Sequence, residues 1–184
     1  IASALLIRAI PAYSIENTYS ETVNNTVSGY VSNISGDIEI VSQSKTPSIY
    51  VDENDYAGVL HAVENLKDDI KTVTNVDVNG ASDFQSADII VGTIGKSAVI
   101  DELIANNEIN VSKIENQWEA FTVQNVNGKL VIVGADKRGT IYGIYDFSEK
   151  MGVSPWNWWA DVKPTHSDSI YVTLPNGGYT EGAA

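Results

Sequence analysis

The chain has 184 residues, 43% of them apolar, which is enough for one globular domain with a packed core. Its 24 acidic and 11 basic residues give a formal net charge of −13, and the Lys and Arg residues form no run, which excludes nucleic acid and anionic membranes as partners. It has no cysteine, which excludes disulfides, thiolate catalysis and cysteine-ligated metals.

Residues 1–11 (IASALLIRAIP) are apolar and lead into small residues around Ala12, like the end of a secretory signal, although Arg8 interrupts the apolar run. The stretch is too short to span a membrane. Asn24-Asn25-Thr26, Asn33-Ile34-Ser35 and Asn110-Val111-Ser112 fit the N-glycosylation sequon, so the expected location is secreted and extracellular. Residues 14–36 are rich in Ser, Asn, Thr and Glu with little periodicity, so 1–36 reads as signal remnant and flexible leader.

A domain is expected over 37–174. Ile38, Ile40 and Val41 begin an edge strand, and residues 48–51 form a short strand ending at Asp52-Glu53-Asn54-Asp55. That acidic cluster is expected to cap the next helix. Tyr56, Val59, Leu60, Val63, Leu66, Ile70 and Val73 recur at helical spacing, with His61, Glu64, Lys67, Asp68 and Lys71 on the opposite, solvent face. Residues 77–86 read as loop with room for a brief strand, and 87–92 as a buried central strand. A helix from about Ser97 follows, with Val99, Ile100, Leu103 and Ile104 inward. Gly95-Lys96-Ser97 imitates the end of a phosphate loop, but Ile90 stands where the Walker pattern needs a glycine, so no nucleotide or other cofactor is expected.

Residues 118–126 and 129–135 are β-rich runs joined by Asn127-Gly128, the preferred pair for a type I′ hairpin turn. Asp136 then caps a helix over 137–151. Ile141, Ile144, Tyr145 and Ser148 are expected to face inward, and Gly139 and Gly143 to allow close backbone packing. Lys137 and Arg138 sit at the wrong helix end for the macrodipole, so they need compensation, from a salt bridge to Asp136 or a neighbouring domain, or from an anionic ligand. Gly152 ends the helix, residues 169–174 form a last strand, and 175–184 read as the start of a linker. The fold class is α/β (α+β), a mixed β-sheet with a hairpin packed by about three helices.

The stretch Pro155-Trp156-Asn157-Trp158-Trp159-Ala160-Asp161 holds three of the four tryptophans. Alternation along an extended chain cannot turn all three indoles inward, so at least one is expected to meet a sugar, a ligand or another domain. Candidate acids include Glu115, Glu119, Asp136, Asp146, Glu149, Asp161 and Asp168. No spacing selects two of them as a glycosidase pair, and no zinc helix or nucleophile elbow occurs.

Four blocks together resemble the N-terminal region of glycoside hydrolase family 115, the xylan α-glucuronidases. They are Val91-Gly92-Thr93-Ile94-Gly95-Lys96-Ser97, Trp118-Glu119-Ala120-Phe121, the run Asp136-Lys137-Arg138-Gly139-Thr140-Ile141-Tyr142-Gly143-Ile144-Tyr145-Asp146, and the tryptophan stretch. The resemblance covers about Ser48 to Ala184 and departs at Asn157, where the family carries a further aromatic. It implies a non-catalytic N-terminal domain followed by a TIM barrel that holds the active site. The implied parent enzyme removes 4-O-methylglucuronic acid from glucuronoxylan by inverting hydrolysis. The partners of this chain are then glucuronoxylan, through the parent enzyme, and the barrel in cis. Trp156, Trp158, Trp159, Asp161 and Arg138 become candidates for substrate binding or the domain interface, with no catalytic or metal-binding residue in the chain. The alternative is a stand-alone carbohydrate-binding or purely structural domain.

Overall fold

A computed structural model describes residues 27–155, 157 and 162–182. Among the described residues, ten strands form two sheets, packed with three α-helices. A four-stranded antiparallel sheet has the order β1 (Val27–Ser28), β2 (Val31–Ser32), β9 (Ile170–Val172), β3 (Ile38–Val41). A six-stranded mixed sheet has the order β10 (Gly178–Glu181), β7 (Phe121–Val126), β8 (Lys129–Gly134), β6 (Ile89–Thr93), β4 (Ser48–Val51), β5 (Asn79–Gly80). In it, β8, β6, β4 and β5 run parallel, and β7 runs antiparallel to both its neighbours, β8 and β10.

Alternation along the central strands explains the layers. Ile89, Val91, Leu130 and Ile132 face one way, into a cluster with α1 (Ala57–Thr74) and α3 (Lys137–Lys150). Ile90, Val131 and Val133 face the other way, against α2 (Ala98–Ala105) and Ile114. The first cluster continues past α1 and α3 to Ile38, Ile40, Ile170 and Val172 of the small sheet. The two helices therefore lie between sheets, and their buried arc is wider than that of a surface helix.

That wider arc corrects the assignment on α3. Ile144 and Ser148 are buried as expected, but Tyr145 is 43% exposed, and Phe147 is the fully buried anchor, its ring stacked on Tyr30 at 6.4 Å. Gly152 ends α3 at φ +96, its N–H donating to Glu149 and that of Val153 to Ser148, a Schellman arrangement. The hairpin turn forms with Asn127 at φ 52 and Gly128 at φ 81.

Both expected tails differ from what is observed. Residues 27–32 form a hairpin that buries Tyr30 and Val31, so the expected leader already contributes to the core there, while residues 1–26 lie outside the described part. Gly178–Glu181, expected as linker, pairs with β7 as the edge strand of the large sheet. The composition there is polar because edge strands face water on one side.

Asp69 on α1 is buried against α3. Its polar neighbour is Ser148, whose hydroxyl lacks a well-formed hydrogen bond. Burial pushes the Asp69 carboxyl up, Ser148 only partly opposes this, and Asp68 adds to it. The native state thus keeps this proton to a higher pH than the unfolded chain, whose carboxyl titrates near ~3.9. Its contribution to stability falls as pH rises above that value. Asp69→Asn is expected to raise the melting temperature more at pH 7 than at pH 4, read by circular dichroism. An equal effect at both pH values would contradict burial as the cause.

Candidate functional site

In an open α/β sheet, ligands bind beyond the carboxyl ends of the strands where the winding reverses. Here that place lies between β4, which is followed by α1, and β6, which is followed by α2 on the opposite face. The chain fills it with its own carboxylates. Asp55 accepts from the Thr93 N–H at 2.8 Å and from the Thr93 hydroxyl at 2.9 Å. Asp52 accepts from the Ala98 N–H at 3.0 Å, in the position where a phosphate would meet the start of α2. Hydrogen bonds from Asn54 first, and then from Ala98, outweigh burial and hold the Asp52 carboxyl below its ordinary range. The acidic cluster therefore does not cap α1, whose N-cap is Tyr56 without a side-chain bond. Asp52 instead serves the first N–H of α2, beside that helix's own N-cap Ser97, a long-range pairing that local spacing does not reveal.

A second place is built around the start of α3. Asp136 caps this helix through the Gly139 N–H at 2.8 Å and also accepts from the Glu119 N–H at 3.1 Å. Burial works against the charge of Asp136, but these bonds and Arg138 hold its carboxyl below the ordinary range. Glu119 has φ +59, a left-handed conformation costing ~1 kcal/mol or more for such a residue. Its N–H bond to a charged acceptor, worth ~1.5–3 kcal/mol, is enough to hold it there. The Glu119 carboxylate pairs with Arg138 at 2.7 Å, and Arg138 also donates to the Tyr142 hydroxyl at 2.9 Å and lies over that ring. Tyr142, then Glu119, raises the Arg138 pKa further. The misplaced cation of the helix start is thus compensated by Glu119, with Asp136 acting on the backbone.

This corner displays Trp118, which is 79% exposed. The β-run expected from 118 begins only at Phe121, because the left-handed Glu119 breaks it. Trp118→Ala is expected to change unfolding free energy by less than about 0.5 kcal/mol, as for surface substitutions generally. A loss of about 2 kcal/mol in denaturant titration would contradict its exposure.

From Glu119 a groove of about 390 Å³ follows α3 to Pro155. Tyr142, Tyr145, Asp146 and Glu149 present one helical face to it, with Phe121 and Glu181 opposite. Asp146 is tied to Lys150 at 3.2 Å and accepts from the Tyr30 hydroxyl at 2.8 Å. Burial first, then Asp146, pushes the Tyr30 hydroxyl pKa up, which fixes it as a donor. The Tyr179 hydroxyl, raised by burial and by its bond to Glu181, is fixed in the same way. The groove is therefore aromatic and acidic, with two of its carboxylates committed to internal ion pairs. Asp69, the carboxyl pushed up by burial, is not among its lining residues. Among the described residues no group of three His, Asp or Glu side chains is placed to hold a metal ion.

Of the residues singled out by sequence, Arg138 is bonded to Glu119 and Tyr142 of the groove lining without lining it itself. Trp156, Trp158, Trp159 and Asp161 lie outside the described residues, and Pro155, immediately before them, lines the groove. Glu119, Tyr142 and Tyr145 were not expected in a site. Glu119 is one of several candidate acids that no spacing selects, and the local signal for it is the unpaired cation at the start of α3, which demands a partner.

The family profile described as the N-terminus of glycosyl hydrolase family 67 matches residues 32–147. A comparison with curated proteins finds no match. Among solved structures, a family GH115 4-O-methyl-alpha-glucuronidase with specificity for decorated arabinogalactans is similar at 31% identity and a TM-score of 0.69, over 79% of this chain and 18% of that one. CpGH84D is similar at 13% identity and a TM-score of 0.48, over 76% of this chain and 22% of that one. A chitobiase from Flavobacterium johnsoniae gives 10% identity and a TM-score of 0.42, over 84% and 20%. The chain thus spans 18% of the length of the glucuronidase it matches.

Proposed function

The chain belongs to the family of glycosyl hydrolase family 67 N-terminal domains, and on that premise we propose that it is the non-catalytic N-terminal domain of a secreted family 115 α-glucuronidase. The parent enzyme removes 4-O-methylglucuronic acid from glucuronoxylan by inverting hydrolysis, with its acid and base on a TIM barrel that follows this domain. The observation that carries this reading is the 31% identity to a 4-O-methyl-alpha-glucuronidase across 79% of the chain. The chemistry of the described residues agrees with it. An inverting pair needs one carboxyl kept protonated and one free to activate water across a sugar. In this chain Asp52, Asp55 and Asp136 bond backbone N–H groups, Glu119 and Asp146 hold cations, and Asp69 is buried between helices.

The domain's role in this reading is to carry the acidic aromatic groove along α3 as a face for the barrel. Arg138, with Trp156, Trp158, Trp159 and Asp161 of the stretch that follows Pro155, are the candidates for contact with the barrel or its substrate. Digestion of glucuronoxylan and of a glucuronic acid-decorated arabinogalactan with the full-length protein tests this. Release of 4-O-methylglucuronic acid from the xylan is the expected result. Release from the arabinogalactan alone would move the substrate to that of the relative, and no uronic acid from either would overturn the proposal.

A further inference from the structure

In a chain of net charge −13, one pocket of about 290 Å³ beside edge strand β10 has no carboxylate among its described lining residues. Its single charged lining residue is Lys113, on the loop between α2 and β7. Lys113 is exposed and makes no ion pair among the described residues. Three other pockets differ in this respect. The α3 groove carries Glu119, Asp146, Glu149 and Glu181, a second pocket contains Glu115, and a third sets Asp168 against a Lys45 already paired with Asp88.

The floor of the Lys113 pocket is fixed by internal bonds. Gln124 clamps the Asn110 backbone from both sides, accepting from its N–H at 2.9 Å and donating to its carbonyl at 2.7 Å. It also donates to the Thr122 hydroxyl at 3.2 Å, and Thr180 donates to the same hydroxyl at 3.2 Å. Both Gln124 amide protons are thus spent, while its oxygen and that of Thr180 keep a lone pair for a ligand hydroxyl. Asn176, held at φ 51 in the turn before β10, has an exposed amide that makes no bond among the described residues. The side-chain donors left over are the Lys113 ammonium and the Asn176 and Asn110 amides, and the acceptors include Gln124 Oε1 and Thr180 Oγ1. One cation and an amide donor lining the same pocket suit a carboxylate, and prearranged acceptors suit hydroxyls.

We propose that this pocket binds a uronic acid, with Lys113 and Asn176 holding its carboxylate and Gln124 and Thr180 accepting from its ring hydroxyls. The choice of a carboxylated sugar rests on the proposed substrate of the parent enzyme. An acidic surface repels such a ligand elsewhere, so the pocket would direct it by exclusion as well as by contact.

The test is a titration of the 184-residue chain with glucuronic acid, followed by amide chemical shifts, with glucose and acetate as matched probes. Saturable shifts are expected around Asn110, Lys113 and residues 176–180, with a dissociation constant on the order of 10 mM, as befits one exposed cation. Glucose and acetate should each bind at least about fivefold more weakly, since each lacks half of the contacts. Lys113→Gln should weaken glucuronate about fivefold, while Lys113→Arg keeps it. Equal binding of glucose, shifts confined to the α3 groove, or no saturation by glucuronate would each overturn the proposal. Uronic acid release by the full-length protein without these shifts would remove this pocket alone, and shifts without release would leave the pocket and remove the parent activity.

Discussion

Gly139→Ala is expected to destabilise the chain by about 3 kcal/mol, the upper end of ordinary overpacking. A Cβ at this position would stand 2.1 Å from the Ala120 carbonyl oxygen and 2.9 Å from its carbon. Both are backbone atoms just before β7, so no side chain can rotate out of the way. Relief requires α3 to move off the sheet, and this would stretch the Asp136 bonds to Gly139 and Glu119 together. For a domain of this size the melting temperature should fall by roughly 6–12 °C. Gly128→Ala, where nothing lies within 4 Å, separates the effects of crowding and left-handed strain. It should cost only about 1 kcal/mol. Equal losses at both positions, measured by thermal denaturation, would contradict the close approach.

Asp55→Ala should cost a similar amount, about 3 kcal/mol, for the opposite reason. Its carboxylate satisfies the buried Thr93 N–H and hydroxyl and also the Tyr56 N–H at 2.7 Å. Since the Thr93 proton goes to Asp55, Thr140 must share its single proton between the Thr93 oxygen at 2.7 Å and the Asp136 carbonyl at 3.0 Å. Truncation leaves donors buried without acceptors, and each costs about 1–3 kcal/mol. Asp55→Asn keeps one acceptor and should recover part of the loss. Urea unfolding that places Asp55→Ala within about 0.5 kcal/mol of the parent chain would contradict the network.

These two residues mark where the sequence is legible and where it is not. Gly139 and Gly143 lie one helical turn apart, so periodicity alone announces a close approach, and the hairpin is announced by Asn127-Gly128. The central strand is equally plain, because Ile89-Ile90-Val91 is apolar without interruption. Asp55 is different. As one member of an acidic cluster before an amphipathic helix it resembles a local cap, yet its partner, Thr93, is 38 positions away. The small sheet was hidden in the same way. Val27–Ser28 and Val31–Ser32 are too short to show a period, and they become strands only because β9 returns beside them. A one-sided helix would bury Tyr145 and leave Phe147 at its margin, whereas packing between two sheets buries Phe147 and leaves Tyr145 exposed. In the groove, the cations at the start of α3 signalled that a partner was needed, but the partner, Glu119, takes a left-handed conformation that no propensity favours.

Resemblance carried the functional reading further than local chemistry did. The four blocks quoted from the sequence place the chain beside glucuronidases, and the matched profile and the 31% identical glucuronidase lie in the same direction. Among the described residues, Asp52, Asp55, Asp136, Glu119 and Asp146 are engaged in holding α2, α3 and the groove in place, which leaves Glu149 as an exposed carboxylate of the groove.

The most direct test of a non-catalytic domain is prolonged incubation of the purified 184-residue chain with glucuronoxylan, with released uronic acid followed by chromatography. No 4-O-methylglucuronic acid above the buffer control is expected at any concentration of the chain. Release proportional to chain concentration, and abolished by Glu149→Gln in the α3 groove, would contradict it and place an active site within these residues.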